Sequence, residues 1–367
     1  MVVTGLVLFL WYITTNLMHN IDSRGITTGF DFFSQRAGFG ISESPIAYTP
    51  DASYFRAFLV GITNTLYVSF IGIFFASLIG LIVGIGRLSH NFMISKLSLA
   101  YIEIFRNVPI LLQILFWYNI VLAALPSPRQ SITWADSIFL NARGLYTPSP
   151  VFENGSIFIL ISVFVAIAIN IYLSKKQKKR FEETGEDKLM FPTYILTLIL
   201  IPTTVYFMMG GPISMDIPAM KGFGFKGGMV FSPEFLALTF ALSIYTATYI
   251  AEAVRSGIEA VPTGQKEAAA SLGLSKYQSL KMVILPQAIR ISIPPIINQF
   301  LNLTKNSSLA AAIGYPELVS VFSGTVLNQT GQAIEIILIT MAVYLTISLA
   351  VSMLLNYVNK KMQIKER

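Results

Sequence analysis

The chain contains no cysteine and only two histidines, His19 and His90, in 367 residues. Disulfides and thiolate metal sites are therefore excluded, and an imidazole cluster is out of reach. Charge is scarce as well, since Asp, Glu, Lys and Arg make up 12% of the residues, about half the share of an ordinary soluble domain. The phosphate-cradling pattern G-x-x-x-x-G-K-[ST] does not occur, so no ATP site of that kind is encoded. One G-x-G-x-x-G match, Gly222 to Gly227, lacks a strand before it and a helix after it and reads as chance. The Asn-x-Ser/Thr matches beginning at Asn154, Asn302, Asn306 and Asn328 carry no more weight.

What is plentiful is apolar sequence, at 54% of the chain. The runs are continuous and about twenty residues long, the length a helix needs to cross a bilayer, and not the short alternating segments of a membrane barrel. They fall over 1–18, 57–86, 97–124, 155–173, 191–209, 233–260, 286–305 and 332–358. The fold class expected is all-α, a polytopic membrane protein of about eight transmembrane helices. The net charge of +7 then reports loop orientation and not a nucleic-acid partner.

Basic residues sort the loops. Arg87 and Lys96 precede span three, Lys175, Lys176, Lys178, Lys179 and Arg180 follow span four, and Lys360, Lys361, Lys365 and Arg367 close the chain. By the positive-inside rule these are cytoplasmic, which puts both termini inside. The loop 261–285, with Lys266, Lys276 and Lys281, falls on the same side, and the loops 19–56, 125–154 and 210–232 fall on the periplasmic side. Met1 opens the first span with no charge before it, which points to a start further upstream or a shortened end. The expected organisation is an N-terminal span with its periplasmic segment, 1–56, followed by a transmembrane domain, 57–367.

The cytoplasmic loop 261–285 reads as helix, stop, helix. Glu267 to Leu272 are mostly good helix formers, Gly273 can close a short helix in the left-handed conformation, and Ser275 with Gln278 has capping-box spacing. Pro286 marks the expected start of span seven. Such a turn is shaped to be gripped by another protein; a solvated connecting loop is the alternative on these residues alone.

Glu267-Ala268-Ala269, Gly273, and then Val283-Ile-Leu285-Pro286 resemble the E-A-A-x3-G-x9-I-x-L-P loop of ABC importer permeases, with Val283 in place of the usual Ile. Tyr249 to Gly257, Gln287 to Arg290, Lys305 to Leu309 and Glu103-Ile-Phe-Arg106-Asn-Val-Pro109-Ile-Leu-Leu-Gln113 resemble the polar amino acid branch of that family. Gly29-Phe-Asp-Phe-Phe33, Leu301 to Lys305 and Ile313-Gly-Tyr-Pro316 are most similar to its general L-amino acid permease subgroup. The resemblance implies a five-helix transport core in 57–124 and 233–358, with span one and the helical hairpin 155–209 as additions. It also implies an L-amino acid substrate, a second permease chain that is a paralogue, two ATP-binding subunits and a periplasmic binding protein. ATP and Mg²⁺ would belong to the partner subunits, with no cofactor on this chain, no enzymatic activity of its own, and the bacterial inner membrane as its location. The coupling loop, carried over from the family, comprises Glu267, Ala268, Ala269, Gly273, Leu285 and Pro286. The competing functional class is a self-contained ion-coupled secondary transporter.

Charged groups inside spans are expensive and mark candidate sites. Glu103 with Arg106 and Glu252 with Arg255 are spaced i, i+3, and Arg255 with Glu259 i, i+4, so local ion pairs are expected. On span seven, Asn298, Asn302 and Lys305 share a face above Pro294-Pro295, which are expected to interrupt the helix. Amides and an ammonium could hold an amino acid zwitterion there, although Lys305 at a span end could equally snorkel. Thr239, Ser243 and Thr246 form a second polar face on span six, of which Ser243 and Thr246 are the candidates to oppose it. Gly72, Ala76, Gly80 and Gly84 recur every fourth residue on span two, a ridge for close helix packing.

Overall fold

The computed structural model describes residues 2–25, 27–184, 190–222 and 224–362. Met1, Phe223, Lys365 and Arg367 lie outside the described residues. The helices, in order, are α1 (Val2–Arg24), α2 (Tyr54–Arg87), α3 (Phe92–Asn107), α4 (Ile110–Ala124), α5 (Ser156–Thr184) and α6 (Phe191–Met208). They continue with α7 (Pro233–Glu259), α8 (Thr263–Ser271), α9 (Lys276–Ser279), α10 (Leu285–Asn306), α11 (Leu327–Thr330) and α12 (Ala333–Met362). The chain divides into two compact units, Met1–Ala124 with Ser232–Arg367, and Leu125–Phe231.

Among the described residues, six helices are long and apolar enough to cross a membrane, or seven if a bent pair counts as one. Length and composition alone thus do not confirm the expected count of eight, for two reasons. Span three is not straight: α3 and α4 meet at 102°. Pro109 forces the residue before it out of the helical region, and Val108 is accordingly extended, with φ −96 and ψ 128. The carbonyls released at that elbow are taken up by one side chain, as the Gln113 amide donates to Phe105 O at 2.7 Å and Val108 O at 2.9 Å. Span five is short, with an apolar helix of 17 residues over Pro192–Met208.

In the first unit, α2 and α7 form the centre. Ser53 caps α2 by accepting from Arg56 N, and Ser232 caps α7 by accepting from Phe235 N, with Pro233 in the first turn. The glycine ridge of α2 is spent on their contact. A Cβ at Gly80 would sit 2.6 Å from Ile250 Cγ2 and 3.0 Å from Ala247 O, and one at Gly84 would sit 2.8 Å from Ala251 O. Gly257 plays the same part between α7 and α10, where a Cβ would fall 1.9 Å from Ser292 Oγ.

The segment before α2 is no separate piece. Phe32 and Ala37 are buried with Phe58, Leu318, Phe322 and Ile336, so residues 31–37 close a core shared by α2, the π-helical turn Val319–Val326 and α12. Asn64 ties the same region together, its amide donating to both Glu43 O and Pro316 O at 2.8 Å. Glu43 in turn accepts from Ser232 Oγ at 2.5 Å, and burial holds its carboxyl above the ordinary range despite that bond. Replacing Asn64, which is fully buried, by Ala would leave two carbonyls without their donor. We expect a loss of about 2–4 kcal/mol, from roughly 1–3 for each orphaned group with partial relaxation, read as a lowered midpoint of unfolding in detergent.

The second unit departs from the loops expected on either side of the helical hairpin. Ile132–Trp134, Ile138–Asn141, Gly144–Thr147 and Met229–Phe231 form a four-stranded antiparallel sheet. Ser149–Phe152 pairs with Ile213–Asp216, and Ala219–Lys221 with Gly224–Lys226. Strands of three or four residues are too short to betray an alternation in sequence. Because strands flanking the hairpin pair with one another, the insertion is wider than 155–209. Between α5 and α6, Asn170 accepts from Thr197 Oγ1 at 2.5 Å and donates to Tyr194 O at 3.0 Å.

Candidate coupling helix and substrate cavity

At the α7–α10 connection, residues 263–271 form a helix whose end follows the Schellman pattern. Gly273 is left-handed at φ +74, its N–H bonds Ala270 O at 2.9 Å, and Leu274 N–H bonds Ala269 O at 3.1 Å. Ser275 and Gln278 then cap α9 reciprocally, at 3.3 and 2.9 Å. Glu267, Ala268 and Gly273 are exposed, whereas Ala269 is turned inward. Leu272 is 80% exposed at the tip, an apolar side chain left uncovered beside a glycine with open space around it.

The helix capped by Ser275 does not stop before Pro286 but runs on into α10. It starts at Lys276 and passes through a π-turn at Leu280–Ile284, in which Leu285 N–H reaches back to Leu280 O. The wider turn accommodates Pro286, which has no N–H to give. Leu285 and Pro286 are exposed, and Gln287 leans back to α8, its amide 3.3 Å from Gln265 Oε1. Pro294 and Pro295 do not interrupt α10 either; the helix continues through both. Its regularity ends later, where Ser307–Ile313 tightens to a 3₁₀ helix closed by left-handed Gly314.

A cavity of about 310 Å³ opens between α7 and α10, lined by Tyr245, Tyr249, Gln299, Asn302, Lys305 and Asn306. The two tyrosine hydroxyls bond each other at 2.9 Å, and Asn302 lies 3.4 Å from Gln299 Oε1. Asn302 and Lys305 are thus brought together as expected, and Asn298 is exposed outside the lining. Ser243 and Thr246 are buried and do not line it: Ser243 donates to Thr239 O at 2.6 Å and approaches Gly72 O at 3.3 Å, so that face of α7 serves the contact with α2. The opposing residues are the tyrosines, which sequence reasoning passed over although their i, i+4 spacing marks one helix face.

Of the ion pairs expected, both of those made by Arg255 form, and that of Glu103 with Arg106 does not. Arg255 bonds both Glu252 and Glu259. Glu103 does not pair with Arg106; it is exposed and accepts from Asn107 at 3.1 Å. Arg106, with Arg87 of α2, instead lies in electrostatic range of Glu252, so three helices share one charge cluster.

A bundle of apolar crossings, a polar cavity between two of them and an uncovered helical turn at the connection define the class: a membrane transport subunit. The family model described as binding-protein-dependent transport system inner membrane component matches residues 76–364, and the chain belongs to that family. It is 50% identical to the putative amino-acid ABC transporter permease protein YhdX of Escherichia coli, over 100% of this chain and 92% of that one. It is 47% identical to the general L-amino acid transport system permease protein AapQ of Rhizobium johnstonii, over 99% and 90%. A crystal structure of an amino acid ABC transporter with histidines shares the fold, with a TM-score of 0.50 at 21% identity, covering 84% of this chain and 95% of the other. The chain is a non-catalytic membrane component of an ATP-binding cassette transport system.

Proposed function

We propose that this chain passes L-amino acids of broad range across the inner membrane into the cytoplasm, receiving them from a periplasmic binding protein. Two ATP-binding subunits seat on α8 and the turn after it, and a second, paralogous permease chain completes the pathway. ATP and Mg²⁺ are held by the partner subunits, and both termini of this chain face the cytoplasm.

The observation that carries the reading is the coupling turn. Glu267 offers a carboxylate to a basic groove, Leu272 offers an uncovered apolar tip, and the Schellman closure at Gly273 keeps both on a rigid element. Nucleotide-driven movement of that element biases an inward/outward equilibrium, which only differential contacts in the two states can do.

Affinity purification of the tagged chain from its own membranes is expected to bring down an ATPase and a second permease. Reconstituted vesicles should then accumulate radiolabelled amino acids only with ATP and the ATPase present. Accumulation by the chain alone, driven by an ion gradient, would establish the secondary carrier in place of this proposal.

A further inference from the structure

We infer that the cavity between α7 and α10 sorts its cargo by charge, with Lys305 favouring anionic amino acids over neutral ones of the same size, and neutral ones over cationic ones. The inference rests on the amino acid reading above and adds a selection rule to it.

The lining holds one cation, Lys305, three amides, Gln299, Asn302 and Asn306, and two phenols, Tyr245 and Tyr249; it holds no carboxylate. Among the described residues Lys305 forms no ion pair. The nearest acid along α7 is Glu252, one turn beyond Tyr249, and its charge is already met by Arg255, with Arg87 and Arg106 in range. Lys305 is exposed on this chain, and an uncompensated ammonium in the span 276–313 calls for a counter-charge once lipid or a partner chain covers it. A cargo carboxylate can supply it.

The rest of the lining fits the same cargo. The hydroxyls of Tyr245 and Tyr249 share a single hydrogen bond, so one of their two protons remains to be donated. The amides add further donors, and an ammonium laid against the tyrosine faces or the amide oxygens completes the zwitterion. A second ammonium or a guanidinium on the cargo side chain would confront Lys305 with no acid in the lining to receive it.

The test compares glutamate and glutamine, which are nearly equal in size and differ in charge. Uptake of each, radiolabelled, is measured in cells in which the complete importer is the sole route. Lys305→Met should lower the glutamate-to-glutamine uptake ratio about tenfold, the equivalent of about 1.4 kcal/mol, and Lys305→Arg should preserve it. Asn302→Asp, which keeps Lys305 and places an anion beside it, should lower the ratio in the same direction and decides the matter should Lys305→Met abolish all uptake. An unchanged ratio in Asn302→Asp, or in a Lys305→Met importer that still transports, overturns the inference. If the unaltered importer accumulates neither amino acid, the amino acid reading itself fails.

Discussion

Changing Gly273 to Asp, or Glu267 to Arg, is expected to cut ATP-dependent uptake at least about tenfold while the chain still inserts in the membrane at normal levels. Gly273 sits at φ +74 with no atom within 4 Å of a would-be Cβ, so nothing in this chain obstructs a side chain there. A side chain in the left-handed region costs roughly 1–2 kcal/mol, less for Asp and Asn; the folding penalty is small. What Asp adds is bulk and negative charge at the tip of α8, where a partner must approach. Gly273→Asn, which tolerates the same backbone and carries no charge, serves as the control and should retain more uptake. Glu267→Arg inverts the exposed charge without touching the helix's own hydrogen bonds, which use the Glu267 backbone, its carbonyl also accepting from Ser271 Oγ at 3.0 Å. The two measurements are uptake and ATP hydrolysis by the purified complex. Uncoupling appears as hydrolysis that persists without transport; unchanged uptake in both variants refutes the coupling role.

The second large effect lies in the bundle centre. Gly80→Val and Gly84→Val are expected to abolish recovery of folded, monodisperse chain from membranes. In each case a Cβ meets backbone: Ala247 O at 3.0 Å for Gly80 and Ala251 O at 2.8 Å for Gly84, with Ile250 or Val254 crowding the same space. Overpacking commonly costs about 1–3 kcal/mol when side chains can shift, and here α2 and α7 must separate along their contact. Gly40→Ala, where nothing lies within 4 Å, should be indistinguishable from the parent in size-exclusion chromatography. Normal recovery of both valine variants would show that the ridge is dispensable.

Much of this architecture was legible because membrane crossing leaves a coarse, strong signature: long apolar runs, a small-residue ridge, a loop with cap and stop residues at fixed spacings. The coupling turn is local, and its geometry follows from Gly273, Ser275 and Gln278 almost alone. What escaped the sequence was non-local. Nothing in the run 97–124 reveals that Gln113 reaches back to satisfy an elbow, although Pro109 marks where one could form. The strands of the inserted unit are too short for periodicity, and their pairing joins segments on either side of a helical hairpin. The polar face of α7 was assigned to the cavity because Ser243 and Thr246 are polar. The Ser243 hydroxyl is engaged within the helix contact and Thr246 is buried, while the amphipathic tyrosines, easily mistaken for core, line the opening.

The elbow between α3 and α4 has a mechanical consequence. A hinge needs slack, and the carbonyls exposed by a proline break usually provide it by exchanging partners as the angle changes. Here one amide grips Phe105 and Val108 at once, from the first turn of the following arm, so any opening or closing of the angle would have to sacrifice a bond of the buried Gln113 side chain. The two arms should therefore travel as a single bracket. Whatever displacement accompanies cargo passage must be taken up at the joints on either side of this piece and not within it.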